Sequence, residues 1–135
     1  MRKNIKSDEY IDGKFEFKGK YLNGKRNGKG KEYEEGRLKS EGKYLNGERN
    51  GKGKEYYSNG MLKFEGEYLN GKKNGKGKEF YENGEIKFEG EYLYDYKIRG
   101  KRYINGKLEY EGEYLFRRKW NGKGYDENHN IIYEL

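Results

Sequence analysis

The side chains able to do chemistry in this sequence recur at fixed intervals instead of converging on one place. Glu65 and Glu67, Glu89 and Glu91, and Glu111 and Glu113 are carboxylate pairs of the kind that cleaves a glycosidic bond. They return with every unit of a repeat, and a unique active site does not normally recur in that way. Gly28-Lys29-Gly30, Gly51-Lys52-Gly53 and Gly75-Lys76-Gly77 have the glycine spacing of a phosphate-cradling loop. Such loops lead into a helix, and no helical period follows any of the three. One histidine (His129), three serines (Ser7, Ser40, Ser58) and no cysteine disfavour a serine triad, a thiol nucleophile and a His-based or Cys-based metal centre. The expectation is a protein that is not an enzyme, with no cofactor and no metal.

Recognition chemistry is better represented. Positive residues gather as Lys25, Arg26, Lys29 and Lys31, as Arg49, Lys52 and Lys54, and as Lys72, Lys73, Lys76 and Lys78. Placed in loops along one edge of a sheet, they form a basic stripe suited to lipid headgroups or other anions. Lys25, Arg26, Arg49, Lys72 and Lys73 are the candidate anion-binding residues. The plainer reading sets lysines across from Glu65 and Glu67 as cross-strand pairs, worth roughly 0.2–1 kcal/mol each, on a solubilising face. A different candidate lies where the repeat breaks down. Tyr94-Asp95-Tyr96-Lys97-Ile98-Arg99 replaces an NGKKNGK segment, and Phe116-Arg117-Arg118-Lys119-Trp120 carries the only tryptophan. Tyr, Trp and Arg dominate protein interfaces, so Tyr94, Tyr96, Phe116, Arg117, Arg118 and Trp120 are the candidate partner-binding residues. The competing explanation is drift, because end repeats of arrays are commonly atypical.

The elements that must position these residues follow from the repeat. Gly19, Gly42, Gly66, Gly90 and Gly112 stand 23, 24, 24 and 22 residues apart, each followed two residues later by Tyr and then Leu. Leu62, Phe64, Gly66 and Tyr68 alternate with Lys63, Glu65 and Glu67, which is the period of a strand. Phe64, Tyr68, Phe88, Tyr92 and Tyr114 are then expected on one face, with Glu65, Glu67, Glu89 and Glu91 on the other. Asn59-Gly60, Asn83-Gly84, Asp12-Gly13 and Asn105-Gly106 read as tight hairpin turns, with Glu35-Gly36 a weaker version. NGKKNGKG, with two Asn-Gly pairs, reads as a longer loop. Together these predict an all-β fold: an elongated, twisted, open antiparallel meander of ten to twelve strands. One domain spans 1–135, with an irregular segment 1–13 and units at about 14–38, 39–62, 63–86, 87–108 and 109–135. A glycine recurring at one fixed strand position predicts an aromatic ring lying over it.

Composition fits a sheet with little core. Charged residues are 41% of the chain and apolar ones 30%, yet sixteen Tyr, six Phe and one Trp concentrate the apolar surface in large rings. No stretch approaches the roughly 20 apolar residues of a membrane-spanning helix. The opening MRKNIKSDEYIDG has no apolar core of a secretory signal, so the expected location is cytoplasmic, or peripheral to a membrane. A net charge of +7 invites nucleic acid as a partner, but neither a groove-entering helix nor a stacking platform is identifiable.

The segment FEGEYLNGKKNGKGKEFYENG, residues 64–84, resembles the MORN repeat. Phe64, Gly66, Tyr68, Gly71, Gly75, Gly77 and Gly84 occupy that pattern's aromatic and glycine places, and the resemblance runs over residues 14–135. Glu79 stands where the family often has an aromatic residue. The 24-residue units look more like bacterial MORN-like proteins grouped with toxin–antitoxin antitoxins than like eukaryotic membrane scaffolds. The resemblance implies an antiparallel β-ribbon and a role in binding or scaffolding, without catalysis. The functional expectation is an interaction module for another protein, in its narrower form a toxin-neutralising antitoxin. The alternative is a peripheral binder of anionic phospholipid membranes through the basic edge.

Overall fold

Alternation of apolar and charged residues over eight or nine positions, punctuated by Asn-Gly, builds one sheet and nothing else. A computed structural model describes the backbone of residues 4–11 and the whole of residues 14–135. The strands are β1 (Asn4–Ile11), β2 (Phe15–Leu22), β3 (Lys25–Glu34) and β4 (Arg37–Leu45). They continue with β5 (Glu48–Tyr56), β6 (Leu62–Leu69), β7 (Lys72–Phe80) and β8 (Ile86–Leu93). Last come β9 (Tyr96–Ile104), β10 (Lys107–Leu115), β11 (Arg118–Tyr125) and β12 (Ile131–Glu134). Their order in the sheet is their order in the chain, and every neighbouring pair is antiparallel. Twelve strands at about 4.8 Å make a ribbon roughly 50 Å long. The segment before residue 14, read as irregular, contributes β1. Among the described residues no helix is long and apolar enough to cross a membrane.

The turns fall differently from the sequence reading. Asn23-Gly24, Asn46-Gly47 and Asn70-Gly71 are two-residue turns with positive φ at both positions (50° and 82° at Asn70-Gly71). NGKKNGKG is therefore a tight turn followed by strand, not a long loop. Its second glycine, Gly75, takes φ 106° inside β7, where Asn74, Gly75 and Lys76 bulge opposite the single residue Glu67. Conversely, Asn59-Gly60 and Asn83-Gly84 lie in five-residue connections, 57–61 and 81–85. There each asparagine folds back, Asn59 Oδ1 accepting from the Met61 amide at 2.9 Å and Asn83 Oδ1 from the Glu85 amide at 2.9 Å. Glu35-Gly36 and Asn105-Gly106 are tight turns as expected, and Asp12-Gly13 lies outside the described residues.

Rings stack along one face. Phe17, Tyr44, Phe64, Tyr68, Phe88, Tyr92 and Tyr110 are buried, and Phe64, Tyr68, Phe88 and Tyr92 form one cluster against which Tyr114 packs. Their contacts are edge-to-face, with centroids 5.5 Å apart for Phe64–Tyr92 and 5.7 Å for Phe88–Tyr114, a geometry that aromatic quadrupoles favour. Glycine is required beneath them. A Cβ on Gly77 would stand 2.7 Å from the Phe64 ring of the neighbouring strand, and one on Gly66 would meet the same ring at 2.7 Å.

Glu65, Glu67, Glu89 and Glu91 belong to the opposite face. Register sets Glu65 against Lys54 and Lys78, and Glu89 against Lys78 and Lys101. Alternating charges thus cross the sheet from Glu41 to Glu111, lining a trough of about 920 Å³.

Candidate interaction surfaces

Lys25, Arg26, Arg49, Lys72 and Lys73 are strand residues, so the basic stripe does not run along loops as the sequence suggested. Arg26, Arg49 and Lys73 share the aromatic face because their positions keep the parity of Gly30, Gly53 and Gly77. Each roofs a ring. The Arg26 guanidinium lies 4.0 Å from the Phe17 centroid, Lys73 Nζ 4.2 Å from that of Phe64, and Arg49 5.6 Å from that of Tyr68. Where a unit carries the ring, its floor is glycine, its middle a ring and its roof a cation; in the second unit Ser40 takes the ring's place and accepts from Arg49 at 3.1 Å. Carboxylates tie the roofs together. Glu32 receives Arg26 and Arg49 at 3.1 Å each, and Glu55 lies 3.8 Å from Arg49 and 3.7 Å from Lys73. Lys25 and Lys72 remain exposed at the first positions of β3 and β7.

The same carboxylates accept from tyrosine. Tyr44 donates to Glu32 at 2.5 Å and Tyr68 to Glu55 at 2.7 Å. Burial opposes ionisation of Glu32, but Tyr44, Arg49 and Arg26 outweigh it and hold the carboxyl below its usual range. Burial, reinforced by Glu32, pushes the Tyr44 hydroxyl up to about 12. These groups are internally satisfied, which suits a structural cross-brace.

Uncompensated charge lies on the trough face of the first two units. Lys20 and Lys43 stand where later units carry Glu67 and Glu91, and Lys29 lies directly opposite Lys43. Glu67 has a local task, since its carboxylate accepts the Lys76 amide at 3.0 Å across the bulge at Gly75. Lys43 packs its stem on the equivalent Gly51 and offers the Lys52 amide no acceptor. Lys43→Glu is therefore expected to stabilise the protein by about 1 kcal/mol, by supplying that hydrogen bond and removing a like-charge pair. Its urea midpoint should rise at unchanged slope; an equal or lower midpoint would count against this account.

The partner-binding candidates occupy one end of the turn edge. Tyr94-Asp95 and Phe116-Arg117 replace Asn-Gly, yet all four residues take positive φ, from 45° to 73°. Left-handed backbone costs a non-glycine residue about 1 kcal/mol or more. Asp95 is fastened to the sheet, its amide donating to the Lys73 carbonyl and its carboxylate accepting the Lys73 amide, each at 2.8 Å. Gly47 and Gly71 make the same amide bond to Arg26 and Arg49, and among the described residues Arg117 does not. Tyr96 and Phe116 meet edge-to-face at 6.5 Å, and the Arg117 guanidinium lies 5.1 Å from the Tyr96 centroid. Phe116 is 78% exposed. Tyr94 lies in the adjoining turn, and Arg118 and Trp120 are exposed on β11. Tyr96, Phe116 and Arg117 thus touch one another, while Tyr94, Arg118 and Trp120 flank them.

The MORN repeat family pattern matches residues 17–36, 41–62 and 64–86. The segments 17–36 and 64–86 carry the aromatic-face layering described above, and the glycine-to-glycine pairing continues beyond residue 86 at Gly90–Gly100 and Gly112–Gly122. No curated protein matches the sequence. A family built from such units serves as a repeat-based binding or scaffold module, in keeping with a surface that offers side chains for contact. The chain belongs to the MORN-repeat family.

Proposed function

We propose that the chain is a cytoplasmic, non-catalytic module that binds another protein through the turn edge of its fourth and fifth units. The observation that carries this reading is the exposed Tyr96–Phe116–Arg117 cluster, built on turns that hold four non-glycine residues at positive φ. Strained backbone that presents aromatic and guanidinium groups to solvent brings no folding advantage, and those groups are typical interface anchors. A toxin as the partner is the narrower form of this reading, supported by the likeness of the 24-residue units to antitoxin-grouped repeats. The decisive experiment exchanges residues 94–99 and 116–120 for the third unit's Asn-Gly turn sequence. Circular dichroism and melting should show an intact sheet, while affinity for a protein captured by the wild type should fall at least tenfold. Unchanged affinity in a folded exchange variant would reduce the irregular turns to repeat decay.

A second reading has its own observation. Lys18, Lys20, Lys29, Lys31 and Lys43 are all exposed on the trough face of the first two units, with Glu16 and Glu41 the carboxylates among them in the described side chains. Such a cluster suits an anionic phospholipid surface, and its binding to phosphatidylserine vesicles should collapse as salt rises. Survival of the protein complex in the same salt separates the two.

A further inference from the structure

One repeat position has changed its chemistry. Glu32, Glu55 and Glu79 occupy equivalent places in KGKEY, KGKEY and KGKEF, and the fourth unit reads RGKRY, with Arg102 there instead. Register confirms the equivalence, since Glu79 lies opposite Phe64 and Phe88, and Arg102 opposite Phe88 and Tyr110. In the first and second units the carboxylate accepts the hydroxyl of the following unit's tyrosine, Tyr44 or Tyr68. Tyr114 is the corresponding tyrosine beside Arg102, and a guanidinium has no acceptor to offer. Two donors therefore face each other. The buried Tyr114 hydroxyl has no hydrogen-bond partner, whereas the Tyr92 hydroxyl still has its repeat counterpart, Glu79, beside it. Arg102 approaches Glu109 only through Nε at 3.5 Å, and its terminal nitrogens have no partner among the described residues.

These groups share a cavity. It measures about 510 Å³, and its wall includes Arg102 and the buried Tyr114 hydroxyl that lacks a hydrogen bond. Its carboxylates are largely spent on other cations. Lys97 lies 2.9 Å from Glu79, and Lys119 donates to Glu109 at 2.5 Å. The third, Asp95, is held by the Lys73 amide. Lys73, Arg102, Ile104 and Arg117 also line it, so five cations, one of them (Lys73) paired with Glu55 outside the wall, stand against three carboxylates. Burial, only partly offset by Arg102, pushes the Tyr114 hydroxyl up to about 12, so it stays a neutral donor throughout the physiological range.

We infer that this cavity is a binding site for a small organic oxyanion, a phosphate ester or carboxylate, whose oxygens are taken by Arg102 and the Tyr114 hydroxyl. The volume lies in the range of small-molecule sites, and a planar guanidinium beside a neutral hydroxyl donor suits two oxygens of one group. This site differs from the exposed aromatic cluster, with which it shares only Arg117.

Inorganic phosphate and citrate serve as probes, each titrated at ionic strength held constant with chloride and followed by amide chemical shifts. At least one should give saturable shifts centred on β9–β11, with a midpoint in the millimolar range or below. Whichever binds identifies the oxyanion class. Arg102→Glu restores the repeat's own tyrosine–carboxylate pair and should weaken binding at least tenfold. Tyr114→Phe, which keeps the ring packing, should weaken it severalfold, and Lys54→Gln on the opposite face should not change it. Absence of saturable shifts with both probes would overturn the assignment. So would binding by folded Tyr114→Phe and Arg102→Glu variants as tight as the wild type's.

Discussion

Phe88→Ala is expected to lower stability by about 3–5 kcal/mol, a large share of the roughly 7–20 kcal/mol typical of a chain this long. Phe88 has no exposed surface. Its ring lies on Gly90 and Gly100, where a Cβ would come within 2.7 and 2.6 Å of it, and under Lys97 Nζ at 4.5 Å. Edge contacts at 5.6 and 5.7 Å join it to Tyr92 and Tyr114. Truncation removes all of these together, and the flanking glycines carry no side chain that could fill the gap. Because each unit packs only on its neighbours, the loss should also uncouple the C-terminal strands from the rest. Urea unfolding followed by fluorescence of Trp120 in β11 should then precede loss of the β-sheet circular dichroism signal. Phe116→Ala, at a 78% exposed ring, should cost under about 0.5 kcal/mol. A Phe88→Ala variant that loses less than 1 kcal/mol would show that the ring ladder is not what holds the sheet.

The ring ladder was legible because it depends on parity alone. Phe64, Gly66 and Tyr68 alternate with glutamates, and a one-residue slip would put every ring in water. Turn placement was not legible in the same way. Asn-Gly signals a backbone able to take positive φ, and both Asn70-Gly71 and Asn74-Gly75 carry that signal. Only the register decides between them: Gly66 must oppose Gly77 so that Phe64 can lie across both, which makes Asn70-Gly71 the turn and Gly75 a bulge. That choice moves Lys73 from a loop edge onto the Phe64 ring. Reading cations as solvated was the natural error in a sequence this polar, since nothing local says that a ring lies beneath one. The replacement of glutamate by Arg102 was visible in the repeat alignment. Its meaning was not, because the glutamate's task of accepting a tyrosine proton becomes apparent only when Tyr44 meets Glu32 twelve residues away.

Raising the pH from 10 to 12 should unfold the protein cooperatively. Tyrosines in an unfolded chain ionise near pH 10. Burial, with help from Glu32, holds the Tyr44 hydroxyl protonated to about 12, and burial and Glu89 do the same for Tyr103. Burial first and a neighbouring glutamate second push Tyr68 and Tyr92 up further. A folded state that keeps protons the unfolded state has released loses stability as pH rises, beginning at the unfolded value near 10 and ending at the folded one. Tyr44, only 5% exposed, should alone withdraw about 3 kcal/mol over that interval. Tyr44→Phe isolates this cause, because it keeps the ring but has no proton to release. It should be less stable than the wild type at pH 7, where the bond to Glu32 is lost, and the difference should shrink or reverse by pH 11. Absorbance at 295 nm should show tyrosinate appearing in one steep step that coincides with loss of the β-sheet circular dichroism signal. Independent, shallow ionisation near pH 10 with the sheet intact at pH 12 would mean that the tyrosine hydroxyls are not braced by the carboxylates beside them.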